Sequence, residues 1–179
     1  QISVHVKSGD IVILESTSPV GTTEILYESL TEDNIASFSM GYCPERVMPG
    51  NIIEELVSNA RVVGGVNNQS TTIISEFYKS FVKSEIHPTD SKTAEMCKLV
   101  ENSFRDVNIA FANEISLVCQ NYDINPGELI SLANRHPRVN ILNPGIGVGG
   151  HCIAVDPWFL ISSNTESARL MKQARETNL

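Results

Sequence analysis

The sequence predicts an α/β chain whose second half turns wholly helical. Two observations carry this. Over roughly the first 90 residues, short apolar runs alternate with helical patterns, the signature of a parallel sheet covered by helices. From about Ser91 to Tyr122 there is neither Gly nor Pro, and good helix formers recur with apolar periodicity. Of 179 residues 41% are hydrophobic and 19% charged, enough apolar material for a core and too much for a disordered chain. The net charge of −8 argues against a general nucleic-acid binder, whose affinity for phosphates comes from clustered Lys and Arg.

The elements follow in order. Ile11 to Leu14, after the Ser8-Gly9-Asp10 turn, reads as a strand, and Pro19-Val20-Gly21 breaks the chain so that Thr22 can cap a helix through Ile25, Leu26 and Leu30. Phe38 to Tyr42 reads as a second strand, leading to Pro44-Glu45-Arg46 and a turn at Pro49-Gly50. Arg61 to Val66 is a third strand, Thr71 to Val82 an amphipathic helix and Glu85 to Pro88 a brief fourth strand. The long helix would run about 45 Å, which exceeds an ordinary small domain, so part of its apolar face is expected to meet another domain or subunit. A helix near Pro126 to Asn134, a glycine-rich loop from Pro144 to Gly150 and an apolar segment from Cys152 to Ile161 complete the pattern.

The chain begins with Gln1 and ends in TESARLMKQARETNL without a terminator, so a piece of a longer polypeptide is expected. No run reaches the ~18 apolar residues of a membrane helix, and the start lacks a secretory leader pattern. Cys43, Cys97, Cys119 and Cys152 form no CxxC pair and no metal-finger spacing, so a cytoplasmic protein with free thiols and no metal is expected.

Several residues could carry chemistry. On the long helix Lys98, Asn102 and Arg105 fall within about 60° of one another, with Met96, Val100, Val107 and Phe111 opposite. A solvated face would explain the polar stripe, and so would a phosphate or polyhydroxylated ligand. Gly145, Gly147, Gly149 and Gly150 let backbone approach a ligand, and Cys152 follows directly with Asp156 four residues on. Cys152 is either a nucleophile or a small buried hydrophobe, the role left to the other three cysteines. Arg135, His136 and Arg138 cluster positive charge in an acidic chain, on a surface loop or at an anion site. His151 suits a turn better than a general base. Ser16 and Thr17 sit past the first strand, at the edge where open sheets bind ligands. Glu45 is a candidate acid or base, or an ordinary surface carboxylate. No GxGxxG follows a strand, and GIGVGG comes after a helix, so it is not read as a dinucleotide fingerprint.

The segments ESTSPVGTTE, YCPERVMPG, TAEMCKLVENSFRDVNIAFANE, NRHPRVNILNPGIGVGGHC and AVDPWF, in this order over essentially the whole chain, resemble the UDP-glucose/GDP-mannose dehydrogenase family. The resemblance implies the middle of such an enzyme. Residues 1–90 would be the C-terminal part of a Rossmann-like NAD-binding domain, 91–165 an all-helical central dimerisation domain with the cysteine loop, and 166–179 the start of a linker helix. The glycine fingerprint and C-terminal domain are missing, and the stretch from Glu28 to Ser37 looks short for the family. It implies a four-electron oxidation of a sugar alcohol to a carboxylate with two NAD+ in succession, for cell-surface polysaccharide biosynthesis.

By the same resemblance Cys152 is the nucleophile, Lys98 a base or oxyanion stabiliser, Asp156 a proton acceptor or positioner of water and lysine, and Glu45 the carboxylate of thioester hydrolysis. Arg46, Val47, Lys98, Asn102, Arg105, His136, Arg138 and Gly149 fall on substrate positions, and Thr17 on a cofactor contact near the nicotinamide. The long helix matches the dimer-forming element. NRHPRVNIL and GGHC favour the N-acetylhexosamine group of substrates, and the resemblance as a whole implies UDP-N-acetyl-D-mannosamine. Alternatives are UDP-glucose, UDP-N-acetylglucosamine, UDP-N-acetylgalactosamine or GDP-mannose, or a non-catalytic dimerisation or sugar-nucleotide-binding module. The isolated chain is expected to turn over little substrate.

Overall fold

A computed structural model describes residues 2–33, 37–48 and 50–179. Pro49 of the expected turn, and 34–36 within the stretch that looks short, lie outside the described residues. The chain divides into two compact units, Gln1–Lys98 and Leu99–Leu179.

In the first unit the order is β1 (Ile11–Leu14), α1 (Thr22–Asp33), β2 (Ser39–Tyr42), α2 (Ile52–Ser58), β3 (Arg61–Gly65), α3 (Asn68–Lys79) and β4 (Ile86–Asp90), followed by the start of α4 (Ser91–Gln120). The strands form one sheet in the order β1-β2-β3-β4. Side chains alternate between its faces. Val12 and Met40 meet Leu30, Phe38 and Val6 on the α1 side, while Ile13 and Val63 meet Ile74, Tyr78 and Val82 on the α3 side. These are two small cores on opposite faces of one sheet.

The sheet is mixed rather than all-parallel as the alternation suggests. β1 and β2 are parallel, as are β3 and β4, but β2 and β3 are antiparallel with Gly41 opposite Gly65 and Tyr42 opposite Gly64. A parallel neighbour needs a crossover that returns along a covered face. Between β2 and β3 the chain instead passes through α2, a seven-residue helix with no buried residue, which therefore cannot serve as that cover. α2 has no counterpart among the expected elements.

Other boundaries shift for local reasons. α3 begins three residues earlier than its apolar pattern, because the Asn67 side chain accepts from the Ser70 N–H at 2.8 Å and caps it. Thr22 is the first helical residue of α1 rather than its cap. Pro88 sits within β4, tolerated because that strand pairs only with β3 in the sheet order. Gly64 allows the start of α4 to close on the sheet, since a Cβ there would lie 2.7 Å from the Ala94 Cβ.

The second unit is helical: the remainder of α4, then α5 (Pro126–Ala133), α6 (Asp156–Ser163) and α7 (Arg169–Thr177). Asn125 caps α5 by accepting from Gly127 and Glu128 N–H groups. Residues 134–155 between α5 and α6 form neither helix nor strand. Among the described residues no helix is long and apolar enough to cross a membrane.

Candidate active site

In the first unit the side chains of interest lie on loops beyond the strand ends. Thr17 is half-buried in the loop that follows β1, whose Ser18 hydroxyl donates to the Ser16 carbonyl at 2.9 Å. The N-terminus of α1 beside it is capped from far along the chain. Glu95 of α4, fully buried, accepts from the Gly21 N–H and, at 2.8 and 2.6 Å, from the Thr23 N–H and hydroxyl. Two helix-end donors therefore reach a carboxylate, which the partial positive charge of a helix start favours.

One turn along α4 from Glu95, the Lys98 ammonium donates to the Glu45 carbonyl at 2.6 Å. The Glu45 carboxylate folds back on its own loop, with Oε1 accepting from the Arg46 and Val47 N–H groups at 2.6 Å each. Its other oxygen stands 3.8 Å from Nη1 of Arg61, whose side chain is buried. Thus Glu45, Arg46, Val47 and Lys98 converge at the carboxyl end of β2, and Arg61 supports them from β3. Behind them burial pushes the Cys43 thiol up from its ordinary value, opposed in part by a hydrogen bond with Tyr78. Cys43 is thereby kept as a neutral core side chain.

In the second unit the Asn102 amide donates to Oδ2 of Asp156, with the residues 6% and 3% exposed. Asp156 opens α6, and its N–H donates back to the Cys152 carbonyl at 2.8 Å, joined by the Val155 N–H at 3.0 Å. Cys152 and Asp156 thus lie one turn apart, the thiol exposed and the carboxylate buried. Arg105, Arg135, His136, Arg138, Gly149 and His151 are exposed; the His136 ring accepts from the Arg138 N–H at 3.3 Å. The expected polar stripe is therefore uneven: Lys98 half-buried, Asn102 buried against a carboxylate, Arg105 in solvent.

The family model described as UDP-glucose/GDP-mannose dehydrogenase family, NAD binding domain, matches residues 1–82, and that of the same family's central domain matches residues 92–179. The chain belongs to this family. The UDP-N-acetyl-D-mannosamine dehydrogenase of Escherichia coli K12 is 56% identical over 188 residues, covering 99% of this chain and 45% of that protein. The NDP-N-acetyl-D-galactosaminuronic acid dehydrogenase of Ralstonia solanacearum is 53% identical, covering 99% and 44%. The solved structure of a UDP-D-ManNAc dehydrogenase from Pyrococcus horikoshii superposes with a TM-score of 0.95 at 47% identity, covering 99% of this chain and 43% of that one. The chain spans about half the length of the curated relatives it matches.

Sequence reading of this dehydrogenase-family chain passed over Glu95, Arg61, Asp106, Asn113 and Asn178, all of which meet buried or loop polar groups. A signal was available for three of them. Glu95, Lys98, Asn102, Asp106 and Asn113 recur at spacings of 3, 4, 4 and 7, which keeps them within an arc of about 80°.

The thiols give a direct check. In the 179-residue chain Ellman's reagent should react rapidly at Cys152 alone, more slowly at Cys97, and at Cys43 and Cys119 only on unfolding. Cys152→Ser should remove the fast phase. A fast phase that survives this substitution would contradict the arrangement.

Proposed function

We propose that the protein containing this chain oxidises the C6 alcohol of UDP-N-acetyl-D-mannosamine to the carboxylate in two successive two-electron steps, supplying cell-surface polysaccharide biosynthesis. One observation carries the reading. Cys152 is the exposed thiol of the chain, one turn ahead of an Asp156 held by Asn102, and all three match the family's motif positions. The relatives' names supply the substrate class.

NAD is the cofactor after which the first matching domain is named, and when bound it would supply the hydride acceptor that each oxidation needs. The loop after β1 suits its nicotinamide end. Thr17 offers a half-buried, uncharged wall, whereas the α1 N-terminus has donors already given to Glu95 and is not left open for phosphate. Lys98 takes the proton of the C6 hydroxyl or stabilises the oxyanion at that carbon. The Cys152 sulfur adds to the aldehyde carbon, giving a thiohemiacetal whose oxidation leaves a thioester. That bond holds the aldehyde between the two oxidations. Water then adds to the thioester carbonyl, Glu45 or Asp156 takes its proton, and the carbon–sulfur bond breaks to return the thiol and release the acid. Arg46, Val47, Arg105, His136, Arg138 and Gly149 bind the nucleotide sugar, the arginines meeting the diphosphate bidentately.

The second copy of the chain is the proposed partner, through α4. Met96, Val100, Phe104, Phe111 and Val118 are 38–66% exposed and share an arc of about 80° opposite the buried polar stripe. Large apolar side chains lined up on an exposed helix face call for an apolar cover. The cytoplasm is the proposed compartment, a reading supported by the four free thiols.

A second reading rests on the Ralstonia relative and makes a UDP-N-acetylgalactosamine-type sugar the substrate. Assayed against a panel of nucleotide sugars, the enzyme containing this chain should form NADH fastest with UDP-N-acetyl-D-mannosamine. Preference for another sugar would overturn that choice. Cys152→Ser should lower acid formation by about a thousandfold or more while changing nucleotide-sugar binding little. Normal NADH yield through both steps would remove the nucleophile. In sedimentation at micromolar concentration the protein should be a dimer that Phe104→Lys with Phe111→Lys dissociates; a wild-type monomer would contradict the partner.

A further inference from the structure

The loop from Val139 to Cys152 has to hold one shape without secondary structure. It contains four glycines, and Gly147 and Gly150 take φ of 132° and 90°, where a side chain would be strained. Such a segment is costly to order unless outside groups fix it.

Asparagine side chains do so. The Asn134 amide donates to the Ile141 carbonyl at 2.9 Å and accepts from the Ile141 N–H at 2.8 Å. Asn108 donates to the Asn140 carbonyl and accepts from the Leu142 N–H, both at 2.9 Å. Asn113 accepts from the Gly145 N–H at 2.8 Å, and the Asn178 carbonyl accepts from the Val148 N–H at 3.1 Å. An amide carries a donor and an acceptor at one tip, so it can pair with extended backbone as a neighbouring strand would.

The last two contacts are anchored in depth. Asn113 donates to Oδ1 of Asn178 at 2.9 Å, and Asn178 donates to both the carbonyl and Oδ1 of Asp106 at 2.9 Å. Asp106 in turn pairs with Arg175 at 2.7 Å, their side chains 1% and 2% exposed. A buried ion pair therefore stands behind the loop's contacts at Gly145 and Val148. On the other side of the thiol, the Cys152 carbonyl is held by Val155 and Asp156.

We infer that Asn113, backed by Asn178 and the Asp106–Arg175 pair, is a positioning residue that fixes the backbone leading to Cys152. It does not touch the reacting atoms; it sets where the loop delivers them. The inference rests on Cys152 being the nucleophile, but its structural part is measured separately.

Hydrogen exchange in the 179-residue chain should find the Gly145 and Val148 amides protected about a hundredfold or more over those of Gly147 and Gly149. Equal exchange at Gly145 and Gly147 would overturn the clamp without any variant, so a substitution that fails to fold cannot shield it. Asn113→Ala should lower protection at Gly145 and Val148 about tenfold or more while α6 keeps its own. In the enzyme containing the chain, Asn113→Ala should cut kcat about tenfold or more with nucleotide-sugar affinity within about threefold. Lost protection with unchanged kcat would overturn the positioning role. Full activity of Cys152→Ser would instead overturn the functional reading, leaving the exchange result standing.

Discussion

The structure depends on the polar side of α4. Glu95 caps α1, Lys98 holds the Glu45 carbonyl, Asn102 holds Asp156, Asp106 pairs with Arg175, and Asn113 meets the glycine loop. The first two contacts lie within one unit and the last three within the other. Their energetic weight comes from an asymmetry. A hydrogen bond to a charged group contributes only about 1.5–3 kcal/mol net, but a buried polar group left unpaired costs a similar amount or more. Each stripe residue therefore penalises any arrangement in which its loop has moved away.

The helix departs from an ordinary amphipathic one, although Ala94, Leu99 and Ala110 are buried on it. Its apolar residues Phe104 and Phe111 stand in solvent, while Glu95 and Asp106 are buried. Burying charge brings no net stability over a well-packed apolar core. What it provides is geometry, because a carboxylate facing two N–H groups or a guanidinium accepts few alternative placements. Residues proposed for chemistry are thus held by directional contacts.

How much of this was legible in the sequence follows from the range of each interaction. Apolar alternation placed β1, β2, β3 and α4, because burial periodicity is local. It could not reveal that β2 and β3 run antiparallel, since side chains alternate identically in both kinds of ladder. The short α2 buries no face and so leaves no apolar period to read. Cys152 stood out because a cysteine just past a loop with four glycines is an unusual neighbourhood. Glu95 did not, because its partners Gly21 and Thr23 lie more than 70 residues away and nothing near it signals a cap. Asn108, Asn113, Asn134 and Asn178 gave no signal of their partners, because the backbone groups they meet are fixed only once the chain has folded, and the pairing of Asn102 with Asp156 spans 54 residues.

The central claim is that directional contacts from α4 hold the loops in place, and the Asn102–Asp156 pair isolates it best. A double-mutant cycle on thermodynamic stability, with Asn102→Ala, Asp156→Ala and the two combined, should give a coupling of about 1.5–3 kcal/mol. Effects that add to within about 0.5 kcal/mol would mean the contact constrains nothing, and the account would fail there.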